Sequence, residues 1–199
     1  MIITWHKQGA VKIQDKETLV AINPHADLSK FSCDLALLGD SSATSEALRE
    51  QPFIINNPGE YEVKDVFVYG IPAKGVDGSA VTVFACDVDR VMIGHLGGIM
   101  QDQLTQEQLE VLEGVDILMI PVGGDDSLNA RQAVKMINQI EPRIVIPINY
   151  GVGKDKKEGV EVFLKEFGAI SKHEKVEKLK IVKKDLPMDD TKVIVVEPS

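Results

Sequence analysis

The sequence predicts an α/β fold in which two β-sheets pack face to face and helices cover them outside. In the first half of the 199-residue chain, short apolar or alternating segments follow one another, separated by polar turns, as in a meander of strands. In the second half, continuous apolar segments alternate with segments of helical period, as in strand-helix units. No linker or low-complexity segment interrupts the chain, so we expect one domain spanning residues 1–199.

The N-terminal half is predicted to consist of strands, because each apolar stretch is short and ends in turn-forming residues. Asn56-Asn57-Pro58-Gly59 is a strong turn signal between two strands, and a hairpin is expected to turn near Asp87–Asp89. After the fourth strand, the sequence favours a helix through about Leu48. In order, the strand-forming stretches are residues 2–5, 10–14, 18–23, 34–38, 52–73 and 79–95.

The C-terminal half is predicted to alternate helices with buried strands. Thr105 can cap a helix together with Gln108, and Gly114 can end it. The next helix has one apolar face, formed by Ala130, Ala133, Val134, Ile137 and Ile140. The expected helices are residues 105–113, 127–140 and 158–168, and the expected strands are residues 116–122, 143–150, 178–184 and 192–197.

The composition excludes several classes of protein. Hydrophobic residues make up 44% of the chain and charged residues 27%, as in a folded globular protein. A net charge of −9 disfavours binding to nucleic acid or to an anionic membrane, and no apolar run is long enough to span a bilayer. Cys33 and Cys86 are expected to be buried free thiols in a reducing cytoplasm. A small molecule or another protein is therefore the expected partner, and a homo-oligomer stays open.

Four predicted strands end in small or polar residues. These ends are Gly39-Asp40, His95 to Gly98, Gly123 to Asp126, and Asn149 to Gly151. Such residues allow backbone to approach backbone, or backbone to approach a ligand. Ligands of α/β proteins commonly bind where strand ends converge. The sequence therefore predicts a crevice lined by these four segments.

Five segments of the chain carry a family resemblance: "MIITWHKQGAVKI", "NPGEYEVKDVFVYGI", "HLGG", "LTQEQLEVLEGVDILMIPVGG" and "QAVKMINQIEPRIVIPINY". Together they resemble the metallo-β-lactamase superfamily, and more narrowly its small bacterial branch of lactonase-like metal-dependent hydrolases. The resemblance extends from Met1 to about Tyr150 and is most specific from Leu104 onward. It implies the four-layer αββα sandwich of that family, and it implies zinc or manganese as the family cofactor.

The same resemblance indicates which positions hold metal in family members. The family places His-x-His-x-Asp-His directly after the strand that matches "LALL", and these four ligands fall on Asp40, Ser42, Thr44 and Ser45. The bridging Asp falls on Gly98, close to His95, and the last His falls on Asn149. A further family His has no counterpart near Lys74. Among the family ligand positions, only Asp40 retains a side chain that binds cations well.

Zinc requires about four ligands from His, Cys or carboxylate side chains. Because Ser, Thr and Asn are poor ligands and Gly supplies none, we expect no bound metal and no hydrolysis by the family mechanism. The leading hypothesis is a metal-free pseudo-enzyme with no catalytic residue. Its vestigial crevice, or its surface, would bind a small molecule or a protein. The crevice residues are Asp40, Ser42, Thr44, Ser45, His95, Gly98 and Asn149.

The alternative is a hydrolase of a small ester, lactone or phosphoester that uses a rebuilt site. Asp40 and His95 could hold a salvaged metal ion, or could join Ser42 or Ser45 in a Ser/His/Asp arrangement, although serines after a strand more often form caps and turns. Two further groups are more consistent with structural roles than with metal binding: the scattered His6, His25 and His173, and Asp125-Asp126 at a predicted helix start.

Overall fold

A computed structural model describes residues 1–16, 18–123, 127–151 and 158–199, and two large β-sheets dominate them. The strands of the N-terminal half are β1 Ile2–Trp5, β2 Val11–Asp15, β3 Thr18–Ile22, β4 Phe31–Ser32, β5 Leu35–Leu37, β6 Leu48–Arg49, β7 Phe53–Ile55, β8 Gly59–Val63, β9 Val66–Lys74, β10 Ala80–Val88 and β11 Val91–His95. The C-terminal half contributes α1 Gln106–Leu112, β12 Ile117–Pro121, α2 Ala130–Ile140, β13 Ile144–Ile148, α3 Glu158–Phe167, β14 Glu174–Val176, β15 Leu179–Lys180 and β16 Lys192–Val196.

The two sheets are built mainly from opposite halves of the chain. The first has the strand order β15-β1-β2-β3-β5-β7, and the second has the order β14-β16-β13-β12-β11-β10-β9-β8. β3 and β5 are parallel neighbours, as are β11, β12 and β13. Because parallel strands point the same way, the ends of β3 and β5 reach one edge of their sheet together, as do those of β11 to β13. This arrangement places Gly39-Asp40 at one of these edges, and His95 to Gly98 and Asn149 at the other.

The hydrophobic core has two layers, one on each face of the second sheet. In β10, Phe84 and Cys86 face the layer between the two sheets, whereas Val83 and Ala85 face the layer beneath the helices. Successive side chains of a strand point to opposite faces, so a strand buried on both sides must be continuously apolar. This continuous apolar pattern is what made β12 and β13 recognisable in the sequence.

The helix ends of α1 and α2 are fixed by side-chain capping. Thr105 and Gln108 form the predicted capping box, and Gly114 follows the helix with a positive φ of 86°. Asn129 and Gln132 form a second capping box at the start of α2, which was not anticipated. Within the part of the chain that is described, no helix is long and apolar enough to cross a membrane.

The helix predicted after β5 is absent, and that prediction was wrong. Residues 40–47 form turns, followed by β6, which pairs with β4 in a short ribbon. The side chain of Asp40 accepts the backbone amides of Ser42 and Ala43, and the amide of Thr44 donates to the carbonyl of Pro24. Amides engaged in this way cannot enter a helical ladder, so side-chain bonding outcompetes the helix here.

Asp116, which directly precedes β12, contacts β11, the residue before β13 and the segment after β15. Its side chain is 5% exposed, accepts the amide of Met92 at 2.9 Å, and lies 2.7 Å from Nζ of Lys183 and 3.6 Å from Nε of Arg143. Asp116→Ala should lower the free energy of unfolding by about 2 kcal/mol, less than a fully buried pair would lose, because both cations can rehydrate. Urea unfolding measures the change. The exposed Asp189→Ala is the control. An equally small loss of stability in both variants would show that the contacts of Asp116 do not stabilise the fold.

Candidate functional site

The ends of β5, β9 and β11 meet at the rim of the sandwich. A Cβ placed on Gly98 would lie 2.9 Å from Oδ2 of Asp40, so the segments after β5 and β11 touch. A Cβ on Gly75 would lie 3.1 Å from the carbonyl oxygen of Gly98, and the carbonyl of Lys74 accepts the amide of Met100. The structure therefore brings Asp40, Gly98 and the segment following Lys74 together in one crevice.

Within the described part of the chain, four hydrogen bonds hold the side chain of Asp40 in place. Its Oδ1 atom accepts the amide of Ser42 at 2.9 Å, the hydroxyl of Ser42, and the amide of Ala43 at 3.2 Å. Its Oδ2 atom accepts Nδ2 of Asn23 at 2.8 Å. The residue remains half-exposed at the crevice. Asp40 is thus a rigidly oriented carboxylate that small molecules can reach.

Asn23 is the residue of this site that the sequence analysis missed. It follows β3, is 3% exposed, has a positive φ of 43°, and its Oδ1 atom accepts the amide of Gly39 at 2.7 Å. One amide group therefore fixes both the backbone before Asp40 and the carboxylate itself. The signal that could have revealed it is the Asn-Pro pair at the end of β3, once β3 and β5 are recognised as parallel neighbours.

His95 is a neutral, buried residue and supplies no open nitrogen to the crevice. Its Nε2 atom donates to the carbonyl of Gly9 at 2.8 Å, and its Nδ1 atom accepts the amide of Gly97 at 3.2 Å. Burial lowers the pKa of His95 to about 4. Both nitrogens are occupied and the ring is uncharged near neutral pH. His95 can therefore act neither as the base of a Ser/His/Asp arrangement nor as a ligand of a salvaged metal site without rearrangement.

Thr44 and Ser45 shape the loop and do not bond to Asp40. Thr44 donates its amide to the carbonyl of Pro24 at 2.7 Å, and its hydroxyl accepts the amide of Glu46 at 3.2 Å. The carbonyl of Ser45 accepts the amide of Leu48 at 2.9 Å. Both residues thus serve turns that carry the chain from the crevice to β6.

Asn149 reaches the site through the hairpin that joins β1 to β2. It has a positive φ of 55°, and its amide donates to the carbonyl of Gln8 at 3.1 Å. The same carbonyl accepts Nε1 of Trp5, and the neighbouring Gly9 is the partner of His95. The hairpin therefore connects Asn149 to His95 through hydrogen bonds at Gln8 and Gly9. Asp40 instead contacts Asn23 and Gly98.

The residues present do not fit the two-ion centre that the family resemblance implies. Within residues 1–16, 18–123, 127–151 and 158–199, no group of three or more His, Cys, Asp or Glu side chains is placed to hold a metal ion. Protein N–H and O–H groups already donate to both carboxylate oxygens of Asp40, and an aspartate at Gly98 would crowd Asp40. Asp125 and Asp126 lie outside the described residues.

The remaining histidines make local structural contacts. Nδ1 of His6 lies 2.9 Å from the hydroxyl of Ser199, and Nε2 of His25 lies 3.1 Å from the carbonyl of His6. Nδ1 of His173 lies 3.1 Å from the carbonyl of Ala169. These contacts tie chain ends and loops together.

Comparison with known proteins identifies related sequences. The family model of the β-lactamase superfamily domain matches residues 2–149. A protein of Pyrococcus horikoshii named as a metal-dependent hydrolase is 27% identical over 166 residues, which cover 74% of each chain. A protein of the same description from Natranaerobius thermophilus is 26% identical over 112 residues, covering 55% of this chain and 49% of the relative. The chain thus spans about half the length of some curated relatives and three quarters of others.

Two solved structures share the fold. A candidate Zn-dependent hydrolase of the metallo-β-lactamase superfamily from Thermotoga maritima has a TM-score of 0.81 and 22% identity, with 100% of this chain and 99% of that chain covered. A metallo hydrolase from Ignicoccus hospitalis has a TM-score of 0.64 and 17% identity, with 84% and 90% covered. These matches confirm the predicted fold class, the α/β sandwich of the metallo-β-lactamase type, and among the described residues α1, α2 and α3 all pack on the outer face of the second sheet.

The expectation of a metal-free pseudo-enzyme is wrong, because the sequence relatives are named hydrolases and the alternative hypothesis fits these findings better. The names of the relatives also imply that metal is used in this group of proteins. The error was to equate lost ligands with lost activity. Losing the ligands removes one way of activating water, but a positioned side chain can also do so.

The family model covers residues 2–149, which is most of the chain, and the fold agrees over the full length with a superfamily member. The chain therefore belongs to the β-lactamase superfamily.

Proposed function

We propose that the protein hydrolyses a small uncharged ester or lactone, with Asp40 as the group that activates water. The observation that carries this proposal is the fixed, half-exposed carboxylate of Asp40 at the crevice where three strand ends meet. The hydrolase names of the relatives support the reaction class.

The hydrogen bonds of Asp40 leave one oxygen suited to a water molecule. Among the residues that the structure describes, Oδ1 accepts three donors, whereas Oδ2 accepts one, Nδ2 of Asn23. A water bound to Oδ2 can lose a proton to the carboxylate as its oxygen attacks the substrate carbonyl. The same proton then passes to the leaving alkoxide, so the products are a carboxylic acid and an alcohol, or one hydroxy acid from a lactone.

Charge selects the substrate class. The chain carries a net charge of −9, and the crevice presents the anionic Asp40. A phosphoester brings further negative charge to this carboxylate, which is unfavourable without a cation between them. An uncharged ester or lactone incurs no such cost, so it is favoured over a phosphoester.

The proposal includes hydrolysis without the family's two metal ions. The support for it is the donor set, since Asp40 is satisfied by N–H and O–H groups and both nitrogens of His95 are engaged. We also propose a cytoplasmic location and small-molecule substrates rather than nucleic acid or membranes, from the acidic charge and the free thiols Cys33 and Cys86. Burial raises the pKa of these thiols to about 11 and about 12, so both stay protonated.

Asp40→Asn should reduce kcat/KM for p-nitrophenyl acetate and for a γ-lactone by about 100-fold or more, the usual contribution of a positioned general base. The amide keeps the shape of the side chain but cannot take a proton from water. Asp27→Asn, an exposed position, is the matched control and should retain activity.

A second variant and a second class of substrate make this test specific. Ser42→Ala should keep activity within about tenfold, because in this proposal the hydroxyl orients Asp40 and does not attack. Complete loss in Ser42→Ala would assign the nucleophile to serine instead. Equal activity of Asp40→Asn and the wild type, or faster hydrolysis of bis-p-nitrophenyl phosphate than of the uncharged esters, would contradict the proposal.

A further inference from the structure

A groove of about 710 Å³ lies on the outer face of the β8–β9 hairpin, beside α1. We refer to it as the β9 groove, lined chiefly by Glu60, Tyr69, Ile71, Lys74, Glu107 and Val111. Its volume falls in the range of small-molecule sites. Asp40 and Gly98 do not line this groove, which borders the Asp40 crevice at Lys74. We propose that the β9 groove binds a small organic cation with an apolar body.

Strand register and helix periodicity place the relevant side chains on one surface. Tyr69 and Ile71 are two residues apart on β9 and therefore share a face, and Glu60 lies directly opposite Tyr69 in the antiparallel pairing. Glu107 and Val111 are four residues apart in α1, so they share the side of the helix that borders the groove. The groove thus has an aromatic and aliphatic floor with one carboxylate on each side.

The side-chain amides of Gln101 and Gln108 at the upper end of the groove are bonded to protein groups, so Lys74 is the cationic group among the lining residues. Nε2 of Gln101 donates to Oε1 of Gln108 at 2.7 Å, and Nε2 of Gln108 donates to the carbonyl of Pro72 at 2.8 Å. By contrast, no ion pair engages Glu60 or Glu107 within the residues that the structure describes. Their charges are available to a ligand.

These features match a cation that carries an apolar group. An ammonium group near Glu60 and over the ring of Tyr69 gains both ion pairing and cation–π attraction. The apolar body then covers Ile71 and Val111. Lys74 is the last residue of β9, five residues beyond Tyr69, and it lines the groove at that end. Its positive charge repels a cation, so it directs the ammonium group toward Glu60. The inference does not depend on whether Asp40 is catalytic.

The first test compares three probes of one shape: phenethylamine, phenethyl alcohol and phenylacetate. Amide chemical shifts are followed by NMR during titration of the full chain. We expect saturable shifts at Glu60, Tyr69 and Val111 with phenethylamine, binding about threefold or more weaker with the alcohol, and weaker still with the anion. Equal affinity for all three probes, or shifts that do not map to the groove, would overturn the proposal.

The second test uses variants whose effects have opposite signs. Glu60→Gln should weaken phenethylamine binding about two- to fivefold, whereas Lys74→Gln should strengthen it by a similar factor. Glu166→Gln and Lys30→Gln make the same changes in net charge at exposed positions elsewhere and control for long-range attraction. If each groove variant matches its control, the binding reflects net charge alone and the proposed site is wrong.

Discussion

Gly39→Ala is expected to lower the free energy of unfolding by about 3 kcal/mol or more. A Cβ at this position would lie 2.2 Å from the carbonyl oxygen of Thr82, 3.1 Å from the ring of Phe84 and 3.2 Å from Oδ1 of Asn23. Thr82 belongs to β10, which is paired on both sides and therefore cannot shift easily. Its amide also donates a hydrogen bond to the carbonyl of Gly39 at 2.7 Å. The clash should also displace Asp40, the next residue.

Gly9→Ala provides a matched control beside the same site. A Cβ there would lie 3.5 Å from Nδ2 of Asn23 and 3.7 Å from Cε1 of His95, which are ordinary contact distances. We expect a change of less than about 0.5 kcal/mol for this variant. Urea unfolding followed by circular dichroism measures both. Similar stability of the two variants would show that the close approach at Gly39 is wrongly described.

Stability should fall by about 3 kcal/mol between pH 7 and pH 4 because of His95. The folded pKa of about 4 lies below the ordinary value of 6.5, since burial disfavours the charged ring. As pH falls through 6.5, the unfolded chain binds a proton that the folded chain does not. The contribution is therefore fully present above pH 6.5 and is lost progressively down to about pH 4. Burial also lowers the pKa of His6, which adds a change of the same sign.

His95→Gln isolates this contribution. Glutamine can still donate to the carbonyl of Gly9 but carries no titrating group, so its unfolding free energy should depend less on pH between 4 and 6.5. Urea unfolding at half-unit pH steps measures the slope for the variant and the wild type. Parallel curves for the two proteins would show that His95 is not the group responsible.

The fold was predictable where local sequence and tertiary structure agree. The capping box of Thr105 and Gln108 needs only residues within one turn, and the apolar runs of β12 and β13 follow directly from burial on both faces. The stretch after β5 was not predictable, because its conformation depends on a hydrogen bond from Thr44 to Pro24, twenty residues earlier. The local pattern favoured a helix there, and it could not show that distant and side-chain hydrogen bonds would replace the helical ones.

The site was predictable only in part, for a similar reason. The resemblance pointed to Asp40 and Gly98, which do lie in contact. It gave no indication of Asn23, whose role arises from the parallel pairing of β3 with β5 and from its bonds to both Gly39 and Asp40. Both nitrogens of His95 are engaged by backbone groups of Gly9 and Gly97, which a sequence does not reveal.

The central claim is that the Asp40 carboxylate, rather than a pair of bound metal ions, activates water in this crevice. The most direct measurement is kcat/KM for an uncharged ester after exhaustive chelation, with and without added zinc or manganese. The account predicts that the value stays within about twofold throughout, because the donors around Asp40 are N–H and O–H groups. Loss of activity on chelation, with recovery on adding stoichiometric metal, would contradict it.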